Sequence, residues 1–178
     1  TTWNVVGAEN SDPSEDNKAI IGNGMPKMFA ALQANYRWKG LDVSVSFRGA
    51  FGFDILNAYR MKYETLAWLS SFNVPKSAYQ KVGEYYNFAP SIYSDRYIES
   101  GDYVKLDNLT IGYTFDLSQR NKVIRSIRVF CTGMNLLTIS GYSGLDPEVA
   151  IVGLTPGVDP INKYPNLRSY IVGASFNF

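Results

Sequence analysis

The sequence predicts an all-β chain: an antiparallel transmembrane β-barrel segment with long extracellular loops. Three observations carry this. Apolar and polar residues alternate with period two over stretches of membrane-crossing length. The links between those stretches alternate short and long, as in outer-membrane barrels. The 178 residues include 13 Tyr, 10 Phe and 3 Trp for pleated surfaces, and 15 Gly and 8 Pro for turns.

Five strands are expected, over 28–38, 41–55, 102–116, 125–139 and 168–178. The second is the clearest. Leu41, Val43, Val45, Phe47, Gly49, Phe51, Phe53 and Ile55 share one face, opposite Asp42, Ser44, Ser46, Arg48, Ala50, Gly52 and Asp54. A tilted strand needs roughly 9–11 residues to cross a bilayer, whereas soluble strands usually run to about 5–6. The first strand alternates Met28, Ala30, Leu32, Ala34, Tyr36 and Trp38 against Gln33, Asn35 and Arg37. The third sets Leu109, Ile111, Tyr113 and Phe115 opposite Asn108, Thr110, Gly112 and Thr114. The last sets Tyr170, Val172, Ala174, Phe176 and Phe178 opposite Ile171, Gly173, Ser175 and Asn177. The stretch 125–139 is a strand by its β-branched content, with ambiguous facing. Aromatics near strand ends, such as Tyr36, Trp38, Tyr113 and Phe115, suit interfacial girdles.

Lys39-Gly40 is expected to be a tight hairpin and 116–124 a short link, while 56–101 and 140–167 are long. With the C-terminus in the periplasm, both short links fall on that side and both long ones outside. Residues 1–27 are expected to end an upstream extracellular loop, and 28–178 to form the C-terminal part of a barrel. Five strands leave two bare edges, and unpaired backbone groups in hydrocarbon cost several kcal/mol each. The chain is therefore expected to be a segment of a longer protein. Without histidine, it cannot build a Ser-His-Asp triad, a Cys-His pair or a His-ligated zinc site. No enzyme, metal or cofactor is expected. The single Cys131 excludes an intrachain disulfide, and a net charge of +1 gives no basis for nucleic-acid binding.

Several strings carry a family resemblance. They are Gly22-Asn23-Gly24-Met25-Pro26-Lys27; Arg48-Gly49-Ala50-Phe51-Gly52-Phe53-Asp54-Ile55-Leu56-Asn57; the run Ser94 to Asn108, read SDRYIESGDYVKLDN; the run Asn135 to Glu148, read NLLTISGYSGLDPE; and Tyr164-Pro165 before the last strand. In this order they resemble the C-terminal end of the SusC/RagA family of TonB-dependent transporters. The resemblance implies a plugged barrel of about 22 strands, of which this chain would supply the last five. It also implies a multi-pass protein of the bacterial outer membrane that imports glycans or peptides. The partners implied are the plug and upstream strands of the same chain, a SusD-like surface lipoprotein as lid, and the TonB complex acting through the plug. Two alternatives stay open: a passive porin-type channel, and a soluble β-sandwich binding domain.

Substrate- or lid-contact candidates come from the aromatics of the long loops: Trp68, Tyr79, Tyr85, Tyr86, Tyr93 and Tyr142. Flat amphipathic rings stack on sugars and anchor interfaces; equally, they can pack a loop on itself. Leu56, Tyr59, Tyr63 and Leu66 have helical spacing, so a helix is expected from 56 to 69. Phe176 and Phe178, on the terminal strand, are barrel-assembly signal candidates. The acids Asp146, Glu148 and Asp159, and the group Asp12, Glu15, Asp16 and Asn17, match no calcium-loop spacing and are expected to be solvated or bonded to backbone. Arg37, Arg48, Asp54 and Asp107 are expected on the lumen side, paired with one another or with a plug.

Overall fold

The computed structural model describes residues 19–80, 93–118, 123–150 and 153–178, with the backbone alone of 4–5, 8–9, 81–82 and 85–86. The chain divides into two compact units. A loop unit comprises 1–25, 53–100 and 142–163; a sheet unit comprises 26–52, 101–141 and 164–178. The main strands are β1 (Met28–Trp38), β2 (Leu41–Phe51), β3 (Asp54–Asn57), β4 (Ile98–Ser100), β5 (Tyr103–Asp116), β6 (Ser126–Ser140), β7 (Val158–Asp159) and β8 (Ser169–Asn177).

The sheet unit is five strands in the order β8-β6-β5-β2-β1, every pair antiparallel. The register keeps the two faces chemically distinct. One row across the strands reads Tyr36, Val43, Ile111, Cys131 and Val172. The next row, on the opposite face, reads Arg37, Asp42, Gly112, Phe130 and Gly173. The apolar face is open: Val172 is 75 % exposed, Leu32 65 % and Tyr36 60 %. A one-sided soluble sheet would turn such a face onto a core. On the polar face, Arg128 Nε donates to Asp42 Oδ1 (2.9 Å), Arg48 Nε to Asp107 Oδ1 (2.9 Å), and the Thr110 and Thr132 hydroxyls bond each other (2.8 Å). The β1–β2 turn has positive φ at both Lys39 (43°) and Gly40 (91°), the backbone a two-residue hairpin of the favoured twist requires.

The strand expected over 41–55 is two elements. β2 stops at Phe51, because Gly52 takes φ 74° and turns its N–H to Asp102 Oδ1 (2.6 Å) instead of a neighbouring strand. Past that corner, β3 joins a separate sheet in the loop unit, antiparallel to β4 and parallel to β7. The loop expected from residue 56 therefore begins with a strand, and Leu56 belongs to β3. The helix expected over 56–69 shrinks to α1 (Ala58–Tyr63), capped by Asn57 Oδ1 accepting from Arg60 N (3.0 Å), with a 3-10 turn at Leu66–Trp68. The ambiguity in 125–139 has a cause as well. β6 carries a bulge between Met134 and Leu137, with Asn135 at φ 53°. Phe130 sits on the polar face, filling the space beside Gly173, whose Cβ would lie 2.5 Å from the ring. Opposite, β5 changes parity, so Leu106 and Val104 continue the apolar face begun by Leu109, Ile111 and Tyr113.

Buried apolar side chains gather mainly in the loop unit, at Phe53, Ile55, Leu66, Ala78, Tyr97, Tyr142 and Val149. No helix among the described residues is long and apolar enough to cross a membrane, which says nothing about strands.

Candidate functional site

Within the loop unit, a polar cluster ties together segments far apart in sequence. Its hub is Glu99 on β4. One carboxylate oxygen accepts from Arg60 Nη1 (2.6 Å), the Ser143 hydroxyl (2.8 Å) and Asn57 Nδ2 (3.2 Å); the other accepts from Ser143 N (2.7 Å). Arg60 also pairs with the fully buried Glu64 one turn along α1 (2.9 Å). Burial alone would push the Glu99 carboxyl up, but the Arg60 guanidinium and the Ser143 donors outweigh it and hold the group below its ordinary value of 4.5. The same pairs hold the Arg60 guanidinium charged against its burial.

A second buried bond links Tyr142 to Asp159 on β7: the phenol donates to Oδ2 at 2.5 Å. Burial, then the carboxylate, pushes the Tyr142 hydroxyl far above its ordinary value of 10.0. The other oxygen, Asp159 Oδ1, is buried with no hydrogen-bond partner among the described residues. Beside these groups lies a cavity of about 630 Å³, within the range of small-ligand sites. Its walls mix Tyr59, Leu145, Pro160 and Ile161 with Arg60, Asp159 and Lys163. Lys163 Nζ donates to the carbonyls of Glu148 (2.6 Å) and Asp146 (3.0 Å), clasping the proline-rich loop.

The aromatic candidates separate. Trp68 packs on Phe72 (5.7 Å between ring centroids), which meets Tyr63 edge-on (6.4 Å), which in turn meets Tyr59 (5.0 Å). Trp68 and Tyr79 keep outer faces open, and Tyr93 is exposed. Tyr142 is not a surface ring: it is buried, and its hydroxyl is committed to Asp159. The side chains of Tyr85 and Tyr86 lie outside the described residues, as do Asp12, Glu15, Asp16 and Asn17. Phe176 lies on the apolar face of β8, opposite Ile127, and Phe178 follows that strand; both are exposed. The acids of the second long loop are bonded internally. Asp146 accepts from Glu148 N (2.9 Å), and no group of three metal-ligating side chains occurs among the described residues. Arg48 and Asp107 pair with each other, whereas Asp54 is in the loop unit and accepts from Asn23 N (2.9 Å).

No family model matches the sequence. Curated relatives do. TonB-dependent receptor P3 of Formosa agariphila is 26% identical over 95% of this chain and 18% of its own length. TonB-dependent receptor SusC of Bacteroides thetaiotaomicron is 27% identical over 83% of this chain and 15% of its own length. Among solved structures, the RagAB peptide importer in its closed-closed state superposes with a TM-score of 0.80 at 25% identity, over 96% of this chain and 19% of that one. The chain is SusC/RagA-like: it is similar to a segment of these TonB-dependent receptors. It spans under a fifth of the length of the curated relatives it matches. As a SusC/RagA-like segment it has transporters and receptors, not enzymes, for relatives.

Sequence reasoning missed most of the cluster. Asn57, Arg60, Glu64, Glu99 and Ser143 are separated by up to 86 residues. Only the i,i+4 spacing of Arg60 and Glu64 was available as a signal.

Proposed function

We propose that this chain is the wall and part of the outer mouth of an active importer in the bacterial outer membrane. The five-stranded sheet spans the bilayer with its apolar face toward lipid, and the loop unit lies outside the cell. Energy comes from the TonB complex through a plug elsewhere in the same protein. A SusD-like lipoprotein serves as lid, and the cargo is a glycan or a peptide. Phe176 and Phe178 act in assembly of the barrel. Trp68, Tyr79, Tyr85, Tyr86 and Tyr93 are proposed as loop contacts for cargo or lid.

The observation that carries this is the register-locked sheet, apolar on one open face and hydrogen-bonded on the other. Water penalises the open face, whereas hydrocarbon accepts it. The two edge strands, β1 and β8, need neighbours in that setting, which upstream strands of a barrel supply.

The experiment is affinity purification of the full-length chain from detergent-solubilised outer membranes, with a tag in the exposed 69–73 region. Recovery from the outer-membrane fraction together with a surface lipoprotein is expected. Recovery in the soluble fraction would overturn the proposal.

A further inference from the structure

We propose that the cavity beside α1 is a ligand site anchored by the Asp159 carboxylate, and that it takes a cationic nitrogen, the ammonium group of a peptide. The proposal rests on the importer reading for the origin of such a ligand.

The carboxylate is built to hold a donor. Asp159 is 6 % exposed; Tyr142 occupies Oδ2, and Oδ1, although buried, has no partner among the described residues. A buried acceptor left unmatched is costly, so a ligand that donates to Oδ1 recovers that loss on binding. The cations nearby are already committed. Arg60 is shared between Glu64 and Glu99, and Lys163 donates to two backbone carbonyls. Three carboxylates, Glu64, Glu99 and Asp159, stand against two cations, Arg60 and Lys163, whose ammonium keeps its charge while donating to carbonyls, so the local balance is negative by one. That balance repels an anion. It also favours an ammonium over a neutral hydroxyl, because the ammonium adds the attraction of a full positive charge to the hydrogen bond with the carboxylate. Tyr59, Leu145 and Ile161 give the site apolar walls for the methylene stem of a lysine.

The test uses the full-length transporter with its co-purifying partner, in detergent, by titration calorimetry. Two capped tripeptides are compared, N-acetyl-Gly-Lys-Gly-amide and the same peptide with norleucine for lysine, alongside a neutral maltooligosaccharide. The lysine peptide is expected to bind roughly tenfold or more tightly than the norleucine peptide. Asp159→Asn should erase that difference while leaving the norleucine peptide unchanged; the replacing amide still offers an oxygen to the Tyr142 hydroxyl. Leu145→Arg, at an exposed position on the cavity wall, should weaken the lysine peptide by placing a competing cation there. Equal binding of the two peptides, no binding of the lysine peptide, or a wild-type preference that survives Asp159→Asn overturns the proposal. So does oligosaccharide binding that Asp159→Asn abolishes. Outer-membrane recovery with the lipoprotein is scored on the same preparations, so the pocket can fail while the importer reading stands.

Discussion

Replacing Glu99 with alanine should loosen the loop unit locally and leave the sheet intact. The carboxylate accepts four hydrogen bonds from three residues, Arg60, Asn57 and Ser143, and it is only 13 % exposed, against 26 % for Arg60. Its removal leaves Arg60 to Glu64 alone and strips the Ser143 N–H of a charged acceptor. Breaking a buried pair by deleting one partner costs about 3–5 kcal/mol, and partial exposure argues for the lower end, about 3 kcal/mol. At about 1.4 kcal/mol per tenfold, this raises the local opening equilibrium roughly 100-fold. The assay is amide hydrogen exchange by mass spectrometry on the full-length transporter in detergent. Peptides covering 57–64 and 142–149 should exchange about 100-fold faster, while peptides from β2, β5 and β6 stay unchanged. An acceleration below about threefold in the loop peptides would refute the view that Glu99 holds this unit together.

Other outcomes follow from the same structure. Gly112→Val should cost about 1–3 kcal/mol of barrel stability, because a Cβ there lies 2.6 Å from Arg128 Nη2 and 2.7 Å from both Asp42 oxygens; thermal unfolding in detergent reads it. Val172→Arg should cost about 2–4 kcal/mol in vesicle-folding titrations, and Ser175→Arg on the opposite face far less. Since the folded pKa of Glu99 is depressed, its stabilisation is complete above about 4.5 and is lost as pH falls through the lower folded value, so exchange protection of 57–64 should drop in that acid range. Tyr142 has the opposite sign: its raised value adds stability that is full below about 10 and is lost as pH climbs from there through the folded value. Deleting Phe178 should reduce assembled barrel in outer-membrane fractions several-fold without changing total synthesis.

Period-two alternation made β1, β2 and β8 legible, because each keeps one parity from end to end. It failed where the backbone departs from simple pleating. Gly52 ends β2 through a side-chain bond to Asp102, fifty residues away, which no local pattern announces. In β6, Phe130 and Met134 stand on the polar face and a bulge follows, so apolar residues appear at both parities. The helical spacing of Leu56, Tyr59, Tyr63 and Leu66 was over-read: Leu56 is held in a sheet with β4 and β7, where pairing overrides local propensity. The loop aromatics were visible as a composition, but their division into an outer ladder and the buried Tyr142 depends on tertiary contacts. Asp159 was visible only as one acid among several, since its unpartnered oxygen is a property of the folded loop.

The central claim is that the apolar face of the sheet meets lipid while its neighbour one residue away does not. Cys131 lies on that face and is exposed, in one row with Ile111 and Val172; Thr132 points to the other face, where it bonds Thr110. In the full-length transporter cleared of any other cysteines, a bimane label is placed on Cys131, or on Thr132→Cys in a Cys131→Ser background, and the protein is reconstituted with brominated lipid. Strong quenching at 131 and little at 132 is the expected result. Equal quenching at both positions, or none at 131, would contradict a lipid-facing sheet.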